Sequence, residues 1–355
     1  MSESSSFRQT ATAAVPNPLG YLRSEPFDLT LILGVAALAL LSGWAFVNDP
    51  RLFPKILMID LWFLGFQHVV ATYTRLVFDV DSFRENKFLV VWLPIIVAGC
   101  TVAAVYAVGP WILATTYLYW QWFHYMRQSY GISRIYQRKA KLAGPFNDYL
   151  EYAVIYLPAT WGILYRSYQA TPYFLGLELR VVPVPAWVVQ AAALLTLAAL
   201  AVWAATKIKA LLEHRLDVAH TLFQATHVLV FWTAYLGIKD INFGWLVINI
   251  WHNAQYVIFV WMYNNNRFKN GVDARHKFLS TISQTKNAFW YFLICVLLST
   301  FIYKSIDRVL SYFTISTLTW AVIVYQVINF HHYVVDGVVW KIRQKPVQKT
   351  LGLSS

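Results

Sequence analysis

The sequence predicts an all-α integral membrane bundle of about ten transmembrane helices, and three observations lead there. Of 355 residues, 58% are hydrophobic and only 13% charged, about half the charged share of an ordinary soluble domain. Apolar stretches near the roughly 20 residues a helix needs to cross the hydrocarbon core recur along the chain. The basic residues, finally, fall mostly on one side when those stretches are threaded back and forth.

In chain order, residues 1–26 read as a polar cytoplasmic tail. No apolar core precedes Leu29, so a cleavable signal peptide is not expected. The membrane domain spans 27–343, and 344–355 form a second cytoplasmic tail. Ten candidate spans lie roughly at 28–47, 55–78, 87–108, 110–134, 148–168, 184–206, 215–237, 241–264, 287–304 and 311–340. Some connections are hairpin-short, such as Gly109-Pro110 and "GIKDIN" at 237–242. Without internal repeats or Gly/Ser linkers, the chain reads as one domain. Cys100 and Cys295 each sit inside an apolar segment and are expected to be small buried hydrophobes, with no oxidised framework or thiolate metal site.

If both termini are cytoplasmic, ten alternating helices leave only Arg51, Lys55, Arg166, Arg180, Lys239, Lys304 and Arg308 outside, out of 29 basic residues. That asymmetry is the positive-inside pattern, and it suits a bacterial inner membrane. The net charge of +12 then reflects topology and anionic headgroups. A nucleic-acid partner would need a basic patch on a soluble face, and no such domain is present.

Of nine histidines, His214 and His276 fall in basic loops and should be solvated. His68, His124, His220, His227, His252, His331 and His332 fall on predicted membrane helices. One such residue is commonly just a hydrogen-bonding group. Seven are harder to explain that way, because ionisable groups in lipid are costly and face a bundle interior or cavity. Counted from each helix's cytoplasmic end, His68, His124, His227 and His332 lie about ten residues in, and His252 somewhat deeper, which at 1.5 Å per residue places them in one layer. Each has polar company three or four residues away. Thr72 and Arg75 follow His68, and Trp120, Gln121, Arg127 and Gln128 flank His124. Gln224 joins His220 and His227; Asn249, Gln255 and Tyr256 join His252; Asn329 and Asp336 join His332.

Interhelical hydrogen bonds explain the amides but not so many imidazoles. Metal ligation does. Imidazoles with a carboxylate and no thiolate suit non-haem iron, one or two ions, with polar neighbours fixing the rings. The candidate ligands are His68, His124, His227, His252, His331, His332 and Asp336, with His220 weaker. Gln224, Gln255, Tyr256, Asn329, Arg75 and Arg127 are candidates to support them or to hold substrate. The expected function is an iron-dependent oxygenase, hydroxylase or desaturase acting on a lipophilic substrate such as a lipid or isoprenoid, with a redox partner as electron source. Two alternatives stay open: a haem-bearing electron carrier using facing histidines, and a transporter using the layer as a proton relay.

Four stretches, "GFQH" at His68, "WFHY" at His124, "WHNAQYVIFVW" at His252 and "HHYVVD" at His332 and Asp336, resemble the membrane iron oxygenases and desaturases that carry histidine clusters on transmembrane helices. The nearest are the bacterial beta-carotene-cleaving dioxygenases of the Brp/Blh type. The resemblance implies these four histidines and Asp336 as the iron site. The chain departs from the family pattern at Gln67, where a proline is expected, at Tyr256, where a second histidine is expected, and in having several more helices.

Overall fold

Helix follows helix in the computed structural model, which describes residues 20–142, 144–312 and 318–353. The long helices are α1 (Glu25–Asn48), α2 (Pro50–Leu76), α3 (Phe88–Val108), α4 (Trp111–Lys139), α5 (Pro145–Gln169) and α6 (Ala186–Leu212). They continue with α7 (Val218–Trp232, extended by a π-turn over Thr233–Gly237), α8 (Ile241–Arg267), α9 (Ala288–Tyr312) and α10 (Leu318–Val339). A two-stranded hairpin, β1 (Tyr173–Phe174) and β2 (Leu177–Glu178), follows α5. Apart from that hairpin the described residues are all-α, and the ten long helices among them fall on the ten apolar stretches. Five helices, α1, α2, α3, α6 and most of α9, are long and apolar enough to cross a membrane.

Local signals set the boundaries. Gly109 takes φ +101°, which a side chain would strain, and ends α3 where Pro110 opens α4. The Asp217 and Asp240 side chains accept backbone N–H groups at the starts of α7 and α8. A π-turn over Leu61–Gly65 immediately precedes the segment carrying His68. Extra residues of this kind re-aim the side chains that follow them.

α8 is the central helix. From Gly244 to Asn264 every residue but Ile258 is buried, against α1, α2, α4 and α7. Small residues make that packing possible: a Cβ on Gly244 would lie 2.0 Å from the Ala234 carbonyl oxygen, and one on Gly43 would lie 2.5 Å from Val247 Cγ2. α6 lies at the periphery, packed on α5, and exposes Trp187, Leu194 and Leu195.

The structure corrects several expectations. Cys100 is exposed rather than buried, whereas Cys295 is buried. Arg166, counted as an outer-loop charge, is 1% exposed. Its guanidinium donates to the carbonyls of Ala234, Ile238 and Lys239, satisfying the end of α7. His276, expected to be solvated, is buried between Asp79 and Asp81, while His214 is exposed as expected. The tails are not free throughout. Asp28 gathers the backbone N–H groups of Leu22, Arg23 and Ser24 and the Tyr136 hydroxyl, and a short helix over Lys345–Leu351 buries Val347 and Leu351. Residues 1–19 and 354–355 of the expected tails, and 313–317 of the expected last span, lie outside the described residues.

Candidate metal centre

His68 of α2, His124 of α4, His252 of α8 and His332 of α10 converge in the bundle interior, each at most 6% exposed. Ring centroids lie 4.3 Å apart for His68 and His332, 4.9 Å for His68 and His252, 4.9 Å for His124 and His252, and 5.0 Å for His124 and His332. The Nε2 atoms of His68 and His252 face each other at 3.3 Å. Nε2 of His124 and of His332 are buried without a hydrogen-bond partner. Asp336 closes the group, its Oδ2 lying 3.4 Å from His332 Nε2 and 3.9 Å from His124 Nε2.

The surrounding hydrogen bonds run in one direction. Asp336 Oδ1 accepts from the Tyr256 hydroxyl at 2.7 Å and from Thr72 Oγ1 at 3.3 Å, so Oδ2 is the oxygen left for the cluster. Trp340 Nε1 donates to the Tyr256 oxygen at 3.0 Å. His332 Nδ1 lies 3.0 Å from Thr72 Oγ1. Thr72 Oγ1 also lies 2.7 Å from the Tyr256 oxygen; with its one proton directed to Tyr256 or Asp336, the His332 Nδ1 is the donor and its lone pair sits on Nε2. Tyr333 stacks on His124 at 4.5 Å, and Tyr125 packs against His252 at 4.4 Å. His252 Nδ1 is buried without a partner.

These donors form two overlapping triads, His68, His124 and His252, and His124, His332 and Asp336, in each of which the ligand atoms lie within 4.8 Å of one another, as metal ligands would. With metal–nitrogen bonds of about 2.1 Å, two ligand nitrogens at a tetrahedral angle stand about 3.4 Å apart, and His68 and His252 already have that separation. A haem needs two facing imidazoles with a flat macrocycle between them, whereas four imidazoles and a carboxylate gather here.

Other expected residues fall elsewhere. His227 donates through Nε2 to the Ile155 carbonyl and packs against Phe231. His331 uses both nitrogens, on the Tyr73 hydroxyl and the Leu89 carbonyl, because its 100° offset from His332 points it at α3. Neither joins the cluster. His220 pairs with Glu151 at 2.8 Å, and Gln224 donates to the same oxygen. Arg75 is buried between the rings of Tyr263 and Trp340. Gln255 accepts weakly from Gln128. Asn329 donates to the Tyr325 carbonyl and lines a small cavity beside His68 and His252. Arg127 is exposed and donates to the Tyr156 hydroxyl.

Sequence reading missed two buried carboxylates. Asp60, in "FPKILMIDLWFLG", accepts from Asn249, which in turn accepts from Tyr125 and Gln121. Glu151 anchors His220. An acid inside an apolar run was the available signal for both. A further group, Asp79, Asp81 and His276, has metal-ligand spacing. Arg267 and Arg275 already pair with its carboxylates, which makes it an ion-pair network.

Comparison of the chain with protein-family profiles, with curated proteins and with solved structures gave no match.

Proposed function

We propose that this chain is a multi-pass integral membrane enzyme, with both termini cytoplasmic in a bacterial inner membrane, that holds non-haem iron and oxidises a lipophilic substrate. The observation that carries the reading is the convergence of four imidazoles and one carboxylate from four separate helices on one point of a water-poor interior. Buried groups of this kind are too costly to gather without a use. Nitrogen and oxygen donors without thiolate favour iron over softer metals.

Iron bound there supplies the redox and oxygen chemistry that no side chain offers. The protein's own part is positional. Thr72 and Tyr256 fix one oxygen of Asp336 and so aim the other; Tyr333 and Tyr125 hold two of the rings by packing. The four stretches resembling the Brp/Blh type contribute all five donors, which supports the same reading. Tyr256, standing where that family has a histidine, hydrogen-bonds Asp336 instead of adding a nitrogen. With His227 and His331 elsewhere, the five donors left, in two triads that share His124, suit one ion or two.

Elemental analysis and an ultraviolet–visible spectrum of detergent-purified protein test the proposal. One or two iron ions per chain without a Soret band are expected. Folded protein that takes up no metal would leave the histidines as a relay and overturn the reading, as would a haem spectrum.

A further inference from the structure

A cavity of about 150 Å3 adjoins the cluster on its cytoplasmic side, with His124, Asp336 and Tyr256 at its inner end. Apolar side chains, among them Trp120, Ile132 and Phe259, form its walls. Two cations line its rim, Arg127 and Lys341, and among the described residues neither has an acidic partner. Phe123 of α4 and Gly337 of α10 also line it, and both are exposed. A Cβ on Gly337 would meet nothing within 4 Å. The cavity therefore opens sideways between α4 and α10, towards the lipid, as well as towards the charged rim.

We propose that this cavity admits a single-chain lipid with an acidic head, held between Arg127 and Lys341, whose chain passes out beside Gly337. The inference rests on the membrane-enzyme reading above and names its substrate class. Charge complementarity selects the head: two unpaired cations at the edge of an apolar slot favour a carboxylate or phosphate over a neutral group. Helix geometry sets the scale. Arg127 lies one turn beyond His124, an axial distance of about 4.5 Å, and Lys341 follows the end of α10 at Val339. The carbon beside the cluster is therefore close to the head and not at mid-chain.

Brominated stearate and brominated stearyl alcohol, added to the protein in neutral phosphatidylcholine nanodiscs, test the assignment through quenching of tryptophan fluorescence, since Trp120 and Trp340 line the cavity. Saturable quenching is expected about tenfold tighter for the acid than for the alcohol, with lysophosphatidate as a competitor to report on a phosphate head. The double variant Arg127→Gln/Lys341→Gln should bring the acid to the alcohol's affinity. Gly337→Leu, which puts a better helix former at an open position, should weaken both ligands. If neither acid binds more tightly than the alcohol, or if the preference survives the double variant, the head assignment is wrong. Unchanged binding in Gly337→Leu overturns the lateral opening. The readout needs no metal, so protein that holds iron but shows no preference sinks this inference alone, whereas metal-free protein sinks the functional proposal.

Discussion

The Nε2 atoms of His68 and His252 face each other across 3.3 Å, although 184 residues separate them in sequence. Two neutral imidazoles at that distance can share one proton in a hydrogen bond, or, under the proposal, one metal ion. His68→Ala and His252→Ala should each reduce bound iron to background in protein that still elutes as a folded species. His227→Ala and His331→Ala should keep their iron. Iron loss of equal depth in all four variants would mean that the histidines act through the fold rather than as ligands.

The Tyr256 hydroxyl holds the oxygen of Asp336 that points away from the cluster. Tyr256→Phe keeps the ring and removes that bond. Metal affinity should fall about 10- to 100-fold, with Thr72→Val behaving similarly. A competition titration against a chelator measures it, and unchanged affinity in both variants would show that Asp336 needs no support.

Asp60 is the acceptor for Asn249 Nδ2 at 2.6 Å in a fully buried setting. Asp60→Leu strands that amide and should cost about 1–3 kcal/mol of stability, whereas Asp60→Asn keeps an acceptor and should cost less. Thermal unfolding in detergent separates them; equal melting points would refute the pairing.

At the loop joining α2 to the next segment, burial alone would raise the Asp79 carboxyl, but Arg267, with Ser82 and His276, outweighs it and holds its pKa below the usual value. A carboxyl lowered on folding stabilises fully above its unfolded pKa of about 3.9 and loses that contribution as pH falls through the lower folded value. Stability should therefore decline on acidification through that window. Asp79→Asn should flatten the decline and lower stability at neutral pH. An acid limb of the same steepness in both proteins would contradict it.

If ten spans alternate as proposed, Gly109 and Arg180 lie on the outer face. In a Cys100→Ser background, cysteines at these two positions should react with an impermeant maleimide added to intact cells. Reaction only after lysis would reverse or break the proposed threading.

The composition, the ten apolar stretches and the placing of histidines on them were legible in the sequence because they depend on one-dimensional properties: transfer to lipid, rise per residue and helical spacing. The same periodicity put His332 and Asp336 on one face and His331 off it. Which faces meet was a different matter. Spacing could not tell that α7 turns His227 towards the Ile155 carbonyl while α2, α4, α8 and α10 turn their histidines towards each other. Nor could it tell that Arg166 caps the end of α7, or that Asp60 and Glu151 have partners. Those outcomes depend on the rotation and close approach of helices far apart in the chain, fixed by contacts such as Gly43 on Val247 and Gly244 on the Ala234 carbonyl. The sequence by itself determined a helical bundle with histidines on several of its long apolar helices. Only tertiary packing decided which imidazoles share a point in space, because a ligand set is defined by distances between helices, and local helical propensity carries no information about them.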